Sequence, residues 1–301
     1  MAVFLRAPAS LGVSTLSALL QDAELPAPPA GEFVIDCSNL AFVSPTGMAA
    51  LLAVVETLFA SDPGRSIGFV PSKAKGVNAY MQRMGLFDML GLEAPAQGRR
   101  DLRGELCELR RIDDLDGVQT VVPELLAIAE AQLQLEPGVF DAMQLSLSEV
   151  AENTVAHAQT GRPGIVCAQT YGKLREVEFA IVDAGIGILA SATRVPDLAQ
   201  ASDAEAIGWA IKLGTTSKTG PHTGYGLFMT RRMIENNRGT MWVYSGSGLV
   251  RIRRGKVAPL GANPWRGTIV TLRFRTDRAI SVKEVLEQDF GSEDDTGTLW
   301  G

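Results

Sequence analysis

Two histidines, three cysteines and no unbroken apolar run of spanning length set the first limits on this chain. Cys37, Cys107 and Cys167 are odd in number and far apart. No C-x-x-C spacing occurs, so neither a zinc site nor a disulfide framework is indicated. A reduced, cytoplasmic setting is expected. A membrane helix needs roughly 18 or more apolar residues in succession, and none is present, so no membrane association is expected. Leu11–Leu20 is broken by Gly12, Ser14, Thr15 and Ser17. No basic segment leads into a long apolar run, which speaks against a signal peptide. Positive charge is outnumbered: 28 Lys and Arg face 34 Asp and Glu, for a net charge of −6. No strong attraction to nucleic acid follows, and no clear nucleic-acid site. The basic cluster Arg251-Ile-Arg-Arg254-Gly-Lys256 reads first as a solvated hairpin strand, since alternation accounts for Arg251 and Arg253. Contact with phosphates is the other reading.

What is present describes a globular protein. The 301 residues are 46% hydrophobic and 21% charged, enough for two ordinary domains. The first hundred residues alternate short strands and helices. Strands are expected at Ala2–Leu5, Phe33–Asp36 and Ser66–Val70, and helices at Val13–Leu20, Thr46–Phe59 and Val77–Met84. Such alternation argues for helices packed on a mixed or parallel sheet. The run Glu93–Gly104 lacks periodic apolar positions and reads as a linker. Domains are therefore expected at 1–92 and 105–280, joined by 93–104, with a C-terminal tail at 281–301 whose acidic stretch Glu287–Asp295 is expected to fray.

In the second part, strands are expected at Glu105–Arg110, Gly164–Tyr171, Val177–Val182, Thr240–Ser245, Leu249–Arg253 and Thr268–Phe274. Helices are expected at Leu115–Leu133, Val139–Ala158, Ala204–Leu213 and Gly226–Asn236. The fold class is α/β, with these helices on one face of a mixed, mostly antiparallel sheet. Within this frame, Glu149, Asn153 and His157 recur every fourth residue, so a helix stacks them along one face. A carboxylate one turn from a carboxamide is equipped to orient a nucleophile and a hydrated metal ion. Asp183-Ala-Gly185-Ile-Gly187 follows at a strand end, and Thr223-Gly-Tyr-Gly226 opens a later helix.

Gly185-Ile-Gly-Ile-Leu-Ala190 also fits the dinucleotide fingerprint G-x-G-x-x-A. That reading fails on context, because Thr193-Arg-Val-Pro196 interrupts the helix such a motif requires, and Asp203 opens a helix instead of closing a strand. No Gly-x-x-x-x-Gly-Lys-Ser/Thr is present, so a Walker phosphate loop is absent.

The three motifs in this order resemble the GHKL superfamily of ATP-binding domains, the Bergerat fold, over roughly residues 105–276. Glu149 and Asn153 match its N-box, Asp183, Gly185 and Gly187 its first glycine box, and Gly224 and Gly226 its second. The resemblance implies ATP and Mg²⁺ as cofactors. It implies Glu149 as general base, Asn153 as an oxygen ligand to Mg²⁺, and Asp183 as acceptor for the adenine amine. Gly185 and Gly187 then let the backbone approach the base, with Thr268 supporting it. Residues 214–226 would hold triphosphate on amides and a helix N-terminus, aided by Lys218. The stretch Phe33–Leu52 resembles the STAS family. Thr46, in Ser44-Pro45-Thr46-Gly47, matches a hydroxyl that some members phosphorylate; a purely structural helix start is the competing reading.

Both histidines fall within the nucleotide motifs, so none remains for autophosphorylation of the sensor-kinase type. The whole is most similar to anti-sigma-factor serine/threonine kinases with a STAS-like domain in front. This implies a protein partner, STAS-like or a sigma/anti-sigma-like regulator, and a possible homodimer. A nucleotide-dependent binding switch without turnover, and a DNA- or defence-related ATPase, are the alternatives.

Overall fold

The computed structural model describes residues 3–23, 33–60, 66–95, 106–157, 161–192, 195–212 and 225–290. Most of the expected linker lies outside these residues, as do Lys218 and Gly224.

The N-terminal part contains β1 (Val3–Arg6), β2 (Ser10–Leu11), α1 (Leu16–Ala23), β3 (Phe33–Asp36), β4 (Phe42–Val43), α2 (Pro45–Ala60), β5 (Ile67–Val70), α3 (Lys75–Arg83) and α4 (Leu86–Leu90). β1, β3 and β5 form a parallel sheet in that order, and β2 pairs in parallel with β4. Parallel neighbours need crossover connections, which α1 and α2 supply. The residues from Pro45 to Val55 in α2 are buried without a break. A helix apolar all round belongs inside a core, not on a surface.

The second part explains that burial. It contains β6 (Leu106–Ile112), α5 (Leu115–Gln132), α6 (Val139–His157), β7 (Gly164–Tyr171), β8 (Glu176–Asp183), α7 (Ile188–Ser191), α8 (Asp203–Ala210), α9 (Gly226–Asn236), β9 (Thr240–Arg253), β10 (Lys256–Arg275) and α10 (Val282–Phe290). The sheet order is β6-β7-β8-β10-β9. Its pairings are all antiparallel, not mixed as expected. Val177, Phe179 and Ile181 point into a core shared with α5, α6 and α9. Their neighbours Ala180 and Val182 point the other way, into a core shared with α1, α2 and the N-terminal strands. Both faces of the sheet are therefore covered: its own helices lie on one face, as expected, and the N-terminal elements close the other. The sequence of β8, Glu-Val-Glu-Phe-Ala-Ile-Val-Asp, carries the reason: a strand buried on both sides reads as a near-continuous apolar run.

One further correction concerns local structure. Within the expected tail, Val282–Phe290 is a helix, with Val285 buried and Arg232 Nε donating to Asp289 Oδ2 at 2.6 Å. Val282, Val285 and Leu286 give it an apolar stripe at helical spacing. β9 (Thr240–Arg253) is not one straight strand, in keeping with the two strands expected at Thr240–Ser245 and Leu249–Arg253. In a straight strand Trp242 and Arg251 would stand about 30 Å apart. The Arg251 guanidinium lies 5.3 Å from the centre of the Trp242 ring. The chain therefore folds back between Ser245 and Leu249, where Gly246 takes a φ of +55°. Among the described residues, no helix is long and apolar enough to cross a membrane.

Candidate functional site

The site is built where α6, α9, the end of β8 and the middle of β10 converge. Leu147, Val150 and Ala151 anchor α6 in the core. That orientation leaves Glu149 and Asn153 half-buried, one turn apart on the same side. Gly226 begins α9 directly opposite them. A Cβ at Gly226 would fall on the Glu149 carboxylate and lie 3.4 Å from Nδ2 of Asn153. A side chain here would have to push the Glu149 carboxylate aside, so the glycine marks a close approach and not a backbone need.

Asp183 ends β8 and is 6% exposed. Its Oδ1 accepts hydrogen bonds from the backbone amides of Gly185 at 2.8 Å and Thr268 at 3.2 Å. The first is an Asx-type turn that bends the chain out of the strand. The second crosses to β10, where Thr268 is the register partner of Asp183. Burial pushes the Asp183 carboxyl up to about 6, against the lowering effect of these bonds.

Gly187 sits just beyond, at φ +80°, as the residue before α7. A side chain there would also meet Ser245 Oγ at 2.9 Å. Ser245 Oγ accepts from the Ile188 amide at 2.9 Å and donates to the Gly267 carbonyl at 2.8 Å. The Trp265 indole donates to the Asp183 carbonyl at 3.0 Å. Ser245, Trp265 and Gly267 thus hold the Asp183 corner in place. Sequence reasoning missed all three. The signal was faint: Gly267 precedes Thr268, and its φ of +124° suits glycine alone.

The structure brings together Glu149, Asn153 and Gly226 on one side, and Asp183, Gly185, Gly187 and Thr268 on the other. Lys218 and Gly224 lie outside the described residues. Thr46 is elsewhere, on the opposite face of the sheet. Its hydroxyl donates to Glu178 Oε1 at 2.9 Å and lies 2.8 Å from the Thr271 hydroxyl, and the residue has 0% exposure.

The donor set fits an ion delivered on a triphosphate. Among the described residues no cluster of three His, Cys, Asp or Glu could hold a metal by itself. One amide beside one carboxylate suits Mg²⁺, which keeps its waters and phosphate ligands. The antiparallel pairing of β8 with both neighbours, and the four-residue α7 after the glycines, do not fit a dinucleotide fold.

No curated protein matches the chain. Residues 113–239 match the family model described as a histidine kinase-like ATPase domain, which supports a GHKL-type ATP-binding domain over that span.

Proposed function

We propose that the chain is a Mg-ATP-dependent regulatory protein, acting as an anti-sigma-like serine/threonine kinase or as an ATPase, with a STAS-like N-terminal domain. The observation that carries this reading is the approach of Gly226 to Glu149 and Asn153. It sets a carboxylate and an amide against the start of α9, and helix N-termini favour phosphate. In this reading Glu149 takes the proton from the attacking hydroxyl or water. Asn153 supplies one oxygen to the ion, and Asp183 accepts the amine of adenine. Mg²⁺, when bound, neutralises charge on the transferring phosphate. The partner would be a STAS-like or sigma/anti-sigma-like regulator, or a second copy of the chain.

A second reading, a nucleotide-dependent binding switch with little turnover, is favoured by the buried and hydrogen-bonded state of Thr46. An acceptor in that position is not presented to a kinase site on the other face of the sheet. The deciding experiment is incubation of the purified chain with γ-labelled ATP and Mg²⁺, beside Glu149→Ala and Thr46→Ala. Label on Thr46 lost in both variants supports a kinase acting on its own chain. Free phosphate lost only in Glu149→Ala supports an ATPase. Tight ATP binding with neither product sinks both enzyme readings.

A further inference from the structure

A cleft of about 620 Å³ opens at the end of the sheet away from the nucleotide motifs. Glu176, at its wall, is seven residues from Asp183 along β8, which is about 23 Å for an extended strand. Five arginines line it. Arg238 comes from the turn after α9, Arg253 and Arg254 from the β9–β10 hairpin, Arg275 from the end of β10, and Arg278 from the turn beyond. The fold-back of β9 puts the hairpin arginines beside Thr240, which also lines the cleft.

The carboxylates of the cleft are already engaged. Glu235 pairs with Arg231 at 2.9 Å and with Arg232 at 3.6 Å. Glu176 pairs with Arg275 at 3.9 Å, and Arg275 also forks onto Asp277, with both contacts at 2.9 Å. Arg238, Arg253 and Arg254 have no carboxylate within ion-pair distance among the described residues, and Arg278 acts on Asp277 only at longer range, that carboxylate being forked by Arg275. Unpaired like charges gathered in one concavity repel each other, and an acidic chain had ample means to neutralise them. Among the described residues, two of the three non-glycine residues at positive φ are Arg238 and Arg254. Glycine or asparagine adopts that backbone more easily, yet arginine stands at both.

We propose that this cleft binds a small molecule bearing clustered phosphate groups, with Arg238, Arg253, Arg254 and Arg278 as its contacts. Guanidinium groups match phosphate oxygens in two-point contacts that ammonium groups cannot make. The volume lies within the several-hundred-Å³ range of small-ligand sites. A lining of arginine, glutamate and threonine offers little to a neutral apolar ligand. The convergence of arginines from four segments into one concavity favours a compact polyanion over an extended strand of nucleic acid.

The test is calorimetric titration of inorganic tripolyphosphate into the full chain, pre-saturated with ADP to occupy the nucleotide motifs. The Arg253→Ala/Arg278→Ala double variant is expected to bind about tenfold or more weakly. The corresponding Lys/Lys variant should fall between it and the parent. Arg251→Ala, which removes the stacked arginine outside the cleft, should leave affinity unchanged. Equal affinity in parent and Ala/Ala variant, or no binding by the parent, overturns the proposal. A single-stranded oligonucleotide that displaces tripolyphosphate at far lower concentration also overturns it, in favour of nucleic acid. Because these side chains are solvent-facing and mutually repulsive, the variants should melt no lower than the parent. Lost binding accompanied by a lower melting temperature would therefore count against a direct contact.

Discussion

The hydroxyl of Thr46 donates to Glu178 Oε1 at 2.9 Å, joining residues 132 positions apart across the two parts of the chain. The Thr46 amide adds a second bond to the same oxygen at 3.3 Å. Arg273 Nε and Nη2 hold the other carboxylate oxygen at 2.9 and 2.6 Å. Glu178 is 1% exposed, so its charge depends on these partners. Thr46→Val removes one charge-assisted hydrogen bond and is expected to cost about 1.5–3 kcal/mol in urea unfolding. Thr46→Ser should stay close to the parent. A neutral Thr46→Val would show that this bond contributes nothing.

Cys167 reports whether the two parts stay docked. It is fully buried, its thiol donates to the Pro45 carbonyl at 3.3 Å, and burial holds its pKa well above the ordinary value. A thiol reagent at pH 7 should leave it untouched in the native protein. Thr46→Glu sets a second carboxylate beside Glu178, and should speed Cys167 labelling by an order of magnitude or more if α2 lifts. Peptide mapping by mass spectrometry separates Cys167 from Cys37, whose thiol is pushed up to about 12. Unchanged labelling in Thr46→Glu would mean that the interface tolerates the charge.

Asp183 makes stability depend on pH. Its carboxyl is raised from 3.8 to about 6 in the fold. The folded state therefore holds the proton more tightly, and this stabilisation is present below pH 3.8 and lost as pH rises through 6. The cost at neutral pH is about 3 kcal/mol. The stability of Asp183→Asn relative to the parent should improve by an amount of that order between pH 4 and pH 7. Paired urea titrations across that range check it, and a constant difference would contradict it. ATP affinity should nevertheless fall in Asp183→Asn at pH 7, because the amide can present its NH₂ where the carboxylate only accepts.

Gly226→Ala places a methyl group on the Glu149 carboxylate. Displacing that group by even an ångström should lower ATP turnover by about a hundredfold. ATP affinity is expected to change less, since Asp183 and its glycines are untouched. Full turnover in Gly226→Ala would show that the close approach of Gly226 to Glu149 is not needed for the reaction.

Most elements were legible as sequence because their apolar spacing is strong. α9 was bounded from Gly226 to Asn236 by glycine at one end and the polar Asn-Asn-Arg-Gly at the other. The candidate site residues could be picked out because Glu149 and Asn153 share a helical face and Asp183 closes an apolar strand before two glycines. What escaped depends on distant contacts. Nothing local to Glu178 distinguishes it from Glu176, yet one lies beneath α2 and the other stands half-exposed. The arginine cleft was only partly visible: the cluster at Arg251–Lys256 could be read as a phosphate contact, but its meeting with Arg238, Arg275 and Arg278 depends on the fold-back of β9. α10 is different: its Val282, Val285 and Leu286 spacing was present, but the acidic residues around it suggested a loose tail.

The seam between α2 and the sheet has a practical outcome for anyone cutting this chain in two. A fragment beginning near Leu106 would carry Ile165, Cys167, Ala180, Val182 and Ile269 on a bare sheet face, all at most 1% exposed in the whole protein. Such a face invites self-association. The first ninety residues would lose the same partner from the other side. Co-expression of the halves, allowing them to find each other before either precipitates, is the route by which soluble pieces of this protein would be recovered.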